Sequence, residues 1–164
     1  MLSRLDIDIL EILQQDARTP IHTIAAQCGV SQTEAAEAIA QLENSGVILR
    51  YPAMINWDKV DRDSVEALIE VRVTPQRDEG FDVIAERIYR FEEVSSVYLM
   101  SGAYDLMVLV KGRTIKELAL FVSEKLSTLE HVLSTATHFV LKKYKVDGVI
   151  VSGTSQDDRL QVSP

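Results

Sequence analysis

Two sets of side chains in this sequence have the types and spacing to recognise another molecule. The first is Ser31, Gln32, Thr33, Glu37 and Gln41. Amides, hydroxyls and carboxylates at such intervals can meet base edges in a DNA groove, glutamine on adenine and a carboxylate on the cytosine amino group. Arg18 and Arg50 flank this set as candidate phosphate contacts. The second set is the run Ser101-Gly102-Ala103-Tyr104-Asp105, with Thr135 and Thr137 further on. A turn at Gly102 can leave backbone N–H groups free to meet a carboxylate, while Asp105 offers an anion to an ammonium group. An amino acid carries both charges. Thr135 and Thr137 have the same parity along a strand, so their hydroxyls share a face, and Tyr98, Met100 and Tyr104 border the same place. A plain hairpin accounts for the same letters, because glycine and aspartate are turn residues and threonine favours strands.

Catalytic chemistry finds little support. The sequence contains no Ser-His-Asp order, no phosphate-cradling glycine loop and no metal-ligand cluster. His131 and His138 lie seven apart, so on one regular strand they face opposite sides and cannot share a metal, and His22 falls near a helix start. Cys28 is the only cysteine, which excludes an internal disulfide and suits a small buried residue in a turn. Neither a cofactor nor a metal is expected.

The base-reading set must sit on a helix. Residues 21–42 read as two short helices with a turn between them: Ile24 and Ala25 form the first inner face, Gly29 supplies a positive φ, and Val30 plugs the corner. Ser31-Gln32-Thr33-Glu34 has the form of a capping box, with Ala35, Ala38, Ile39 and Leu42 following at helical spacing and Gly46 placed to end the helix. Leu5, Ile9, Ile12 and Leu13 mark a preceding helix that stops at Arg18-Thr19-Pro20. Residues 47–51 can add a strand, which would make the unit a winged helix-turn-helix.

The second set must sit on a sheet. Residues 51–63 lose periodicity and serve as an extended connector. Then come two strand-helix-strand units at 64–101 and 104–141. Ala67, Ile69, Val71 and Val73 alternate along the first strand, and Phe81, Ile84, Ala85, Ile88 and Phe91 line the first helix. Residues 106–110 form the next strand, Ile115, Leu118, Ala119, Val122 and Leu126 the next helix stripe, and residues 133–141 the last strand. The order β-α-β-β-α-β gives a ferredoxin-like, α+β domain with both helices on one face of an antiparallel sheet. Met107 and Leu109 are apolar between Leu106, Val108 and Val110, so the strands are apolar on both faces. The uncovered face calls for a second copy of the chain, a homodimer. The expected layout is a head over residues 1–50, the connector, a ligand-binding and dimerisation domain over 64–146, and a tail over 147–164 in which 157–162 can form an edge strand.

Charge cuts against the first assignment. The chain has a formal net charge of −8, and residues 1–50 hold three arginines against seven carboxylates. Phosphate neutralisation supplies much of duplex affinity, so a DNA reader is expected to be basic over its footprint. Neither end reads as a targeting signal and no run of about 18 apolar residues occurs, which predicts a cytoplasmic protein with no membrane partner.

Leu5-Asp6, the corner from Ile24-Ala25 to Val30-Ser31, Leu42-Glu43 with Gly46-Val47-Ile48, and Ser101-Gly102-Ala103-Tyr104-Asp105 together resemble the Lrp/AsnC family of transcription regulators, over residues 5–144. The resemblance implies DNA binding, dimers that assemble further into octamers or open arrays, and an amino acid or similar effector bound at subunit interfaces. Members commonly carry several arginines in the second helix of the motif, where this chain has Glu34, Ala35, Ala36, Glu37, Ala38 and Gln41. A sensor or assembly partner that does not bind DNA is therefore a second reading. Sirohaem decarboxylases, similar in architecture, supply a remote third.

Overall fold

A computed structural model of the chain describes residues 2–60, 63–74 and 80–152. The chain forms two compact units, Met1–Ile55 and Asn56–Pro164.

Three helices make the first unit: α1 (Arg4–Gln15), α2 (Ile21–Cys28) and α3 (Gln32–Asn44). Ile9, Ile24, Ala25, Ala35, Ala38 and Leu42 are its buried core, with Leu5, Leu13, Cys28, Val30 and Ile48 packed against them. Gly29 closes α2 at φ 70°, the left-handed conformation that turns the chain into α3. α1 begins with a full capping box, Asp6 N–H donating to Ser3 Oγ and Ser3 N–H to the Asp6 carboxylate. α3 keeps half of the box expected there. Glu34 N–H donates to Ser31 Oγ at 3.1 Å, but the Glu34 carboxylate makes no return bond to Ser31.

The strand expected at 47–51 is not formed, and no strand lies among the described residues of this unit. Helix termination takes the amides instead. Gly46 N–H bonds to Glu43 O, and Val47 and Ile48 N–H both bond to Leu42 O, a Schellman closure around Gly46 at φ 72°. The unit is a helix-turn-helix without that part of a wing.

The second unit holds β1 (Val65–Val73), α4 (Asp82–Tyr89), β2 (Val94–Leu99), β3 (Leu106–Gly112), α5 (Ile115–Leu120) and β4 (Val132–Phe139). The antiparallel sheet has the order β2-β3-β1-β4. Ala67, Ile69, Val71, Val73, Leu106, Val108 and Val110 are buried beneath Ile84, Ile88, Leu118, Phe121 and Leu126 from the helices. α5 runs directly into a π-helical stretch, Phe121–Leu126. Leu118, Phe121 and Leu126 are buried, while Ile115 and Ala119 of the expected stripe, both ahead of the π stretch, are exposed.

The open sheet face is apolar over its centre only. Cross-strand pairing puts Leu68, Leu109, Met107 and Tyr98 together there, whereas β4 contributes Ser134, Ala136 and His138. Glu66 and Glu70 add charge, with Lys111 and Lys143 paired to Glu66 and His138 to Glu70. The two-sided pattern of β3 thus covers part of the face and not all of it.

After β4 a small hairpin, β5 (Lys145–Val146) and β6 (Val149–Ile150), turns at Asp147-Gly148, both at positive φ. Asn56 Nδ2 donates to Val151 O at 3.0 Å and ties this hairpin to the start of the unit. The edge strand expected at 157–162 lies outside the described residues. No helix among them is long and apolar enough to cross a membrane.

Candidate functional site

In the first unit the candidate reading surface is the outer side of α3. Burial of Ala35, Ala38 and Leu42 turns the opposite side to solvent, and Ser31, Gln32, Thr33, Glu37 and Gln41 are all exposed. Arg18 and Arg50 are exposed too, Arg18 in the turn between α1 and α2, where its backbone N–H donates to Asp16 Oδ1. Every one of these side chains lies where another molecule can reach it. Tyr51, which the sequence does not single out, donates its hydroxyl to Glu43 Oε1 at 2.7 Å and straps the connector to the end of α3. Partial burial, then the bond to Glu43 and its charge, push the Tyr51 phenol up to about 12. A lone tyrosine eight residues beyond a glutamate carries no local signal for such a bond.

In the second unit the candidate effector site lies at the β2–β3 hairpin. Met100 N–H donates to Asp105 O at 2.8 Å and closes a loop of residues 101–104. The amides of Gly102 and Ala103 donate to nothing among the described residues. Tyr98 and Met100 leave β2 into this loop, and Tyr104 sets its hydroxyl 4.0 Å from Met107 Sδ. Asp105 also has a structural task. Its Oδ2 accepts from Val73 N–H at 2.9 Å while its own N–H donates to Val71 O, so it clamps the end of β1.

The structure gathers Tyr98, Met100, Gly102, Tyr104 and Asp105 at one hairpin but sets the two threonines apart. Thr135 pairs with Val71 and Thr137 with Ile69, on the face covered by helices, with β1 between them and β3. Two strand spacings separate β4 from β3, about 10 Å. Thr135 Oγ1 lies 3.2 Å from Ser127 Oγ, which caps the π-helical stretch.

Ion pairs elsewhere serve the fold. Burial raises the Glu93 carboxyl, but the hydrogen bond and charge of Lys125 outweigh it and hold the group below its ordinary value. Lys125 also stands over the Phe91 and Phe121 rings. His131 precedes β4 rather than lying on it and pairs with Glu130, far in register from the His138–Glu70 pair. No group of three potential metal ligands occurs among the described residues.

The Lrp/AsnC ligand binding domain matches residues 66–150, over half of the chain, and the AsnC-type helix-turn-helix domain matches residues 2–43. The chain belongs to the Lrp/AsnC family. Among Lrp/AsnC relatives, an uncharacterised HTH-type transcriptional regulator, YugG of Bacillus subtilis, is 51% identical over 164 residues, 99% of each chain. LrpA of Pyrococcus horikoshii is 32% identical over 145 residues, 88% of this chain and 100% of that one. Among solved structures, a Neisseria meningitidis transcriptional regulator crystallised with L-Met has a TM-score of 0.70 at 24% identity, covering 89% of this chain and 94% of that one. LrpA of Mycobacterium tuberculosis has a TM-score of 0.74 at 23% identity, covering 92% of this chain and all of that one. Both share the α+β fold described above. The protein is an Lrp/AsnC-type transcriptional regulator with a helix-turn-helix domain and a ligand-binding domain, and the family consists of regulators rather than enzymes. The decarboxylase-like reading is set aside on that ground.

Proposed function

We propose that this Lrp/AsnC regulator binds operator DNA through α3 and tunes that binding with an amino acid or similar zwitterion held at the β2–β3 hairpin, working in the cytoplasm as a homo-oligomer. The observation that carries the effector half is the pairing of unbonded Gly102 and Ala103 amides with the Asp105 carboxylate in one loop. Amide donors suit the ligand carboxylate, and the aspartate suits its ammonium group. Tyr98, Met100 and Tyr104 offer contacts to a side chain. Thr135 and Thr137, on the helix-covered face with β1 between them and the hairpin, stand outside this site within one chain. The L-Met complex of the Neisseria regulator is consistent with such a ligand.

The operator half rests on the exposed row of polar side chains along α3, with Arg18 and Arg50 on phosphates. A dimer would present two such heads and gain avidity from their linkage. The open sheet face supports that state, because an apolar centre inside a charged rim is the composition of a protein interface. Four arginine contacts per dimer predict a modest salt slope, with log affinity falling by about 4 per decade of salt. Fluorescence anisotropy on genomic fragments across salt concentrations reads this directly. A thermal-shift screen of the amino acids tests the effector: one or more should raise Tm, and none doing so would remove the zwitterion pocket.

The acidic head favours the second reading, a sensor or assembly partner without DNA. Absence of salt-sensitive retention at micromolar protein would decide for it.

A further inference from the structure

Glu37 stands out on the outer side of α3. With Ala35, Ala38 and Leu42 buried, residues 33, 36, 37, 40, 41 and 44 form the opposite arc, and Glu37 is the only ionised side chain among them. Ala36 and Ala40 beside it end in a single methyl and are exposed, so nothing on the helix shields the carboxylate. α3 contains no lysine or arginine, and Glu37 takes part in no hydrogen bond or ion pair among the described residues. Glu43, by contrast, is occupied by Tyr51.

From this we infer that Glu37 is a specificity residue that selects a cytosine in each half-site by accepting from its N4 amino group. The inference rests on α3 being the helix that enters the major groove. There a carboxylate meets mostly acceptors: guanine shows O6 and N7, thymine O4, and adenine an N7 beside its single amino group. Cytosine alone presents a donor without an acceptor on the same base edge. Phosphates also repel the carboxylate, so Glu37 lowers affinity for DNA in general and restores it at a C·G pair. Discrimination then comes from rejecting the wrong bases, which suits a head with few cations. Gln41, one turn on, reaches a neighbouring base pair and leaves the cytosine position to Glu37.

The test is selection of the full-length chain and its Glu37→Gln and Glu37→Ala variants on a random duplex library, with circular dichroism to confirm that the exposed substitution leaves the helices intact. The wild type should enrich one C·G position per half-site by roughly tenfold or more over other pairs. Glu37→Gln should move that position to A·T, since glutamine pairs with adenine N6 and N7, and Glu37→Ala should flatten it while raising affinity for unselected DNA. Identical motifs from wild type and Glu37→Gln would overturn the inference and leave α3 as the DNA helix. A wild type that retains no duplex at low salt would overturn both.

Discussion

Asp105 has two duties that a pair of substitutions separates. Asparagine keeps an oxygen to accept Val73 N–H but has no charge for an ammonium group, whereas alanine loses both. Asp105→Asn should therefore hold Tm near the wild-type value and abolish stabilisation by amino acids. Asp105→Ala should cost about 1–3 kcal/mol in thermal unfolding, the usual penalty for a partly buried donor left unpaired. Tyr51 provides a second residue-scale test. Its phenol titrates at about 12 in the folded chain, above the ordinary value near 10, so folding favours the neutral form. The associated stability is fully present below about pH 10 and is lost as pH rises through about 12, and spectrophotometric titration of native against Tyr51→Phe protein should show the late phenolate vanish. The letters make Asp105 a candidate because its carboxylate can meet an ammonium group, although glycine and aspartate also mark a plain turn. They are silent on its clamp of Val73, since nothing in one strand's periodicity reveals which amide a neighbouring loop will bind.

Helix caps and turns show at the level of the element how local chemistry outweighs pattern. The Ser31 signature forms only its serine half, so Ser31→Ala should lower stability by about 1 kcal/mol while Glu34→Ala should change it by a few tenths at most, as measured by thermal or urea unfolding. The expected strand at 47–51 fails for a similar reason: Val47 and Ile48 amides close the end of α3 and are unavailable to a ladder. Strands and helices of the second unit follow their periodicities well, except at Ile115 and Ala119. There the buried face runs through Leu118 and Phe121, an i,i+3 pair, and leaves Ile115 and Ala119 to its side. The sequence reading draws the division between sheet domain and tail at 146, and the β5–β6 hairpin with its Asp147-Gly148 turn sits across it.

For the whole molecule, the order of strands and helices specifies a ferredoxin-like layer, and alternation in β1 marks the face that two helices bury. What alternation leaves open is the other face, where Leu68, Met107, Leu109 and Tyr98 lie among Glu66, Glu70 and His138. A charge at its centre tests self-association. Leu109→Glu should shift the mass from dimer or larger to monomer in light scattering, with operator affinity falling as paired heads separate. The Asp105 clamp carries a consequence for how such regulators diversify. A strand anchor of this kind needs the side-chain oxygen and not the charge, so new tastes would arise at positions 98, 100 and 104 around it. Position 105 would keep aspartate or asparagine even in a descendant that has gone deaf to every signal.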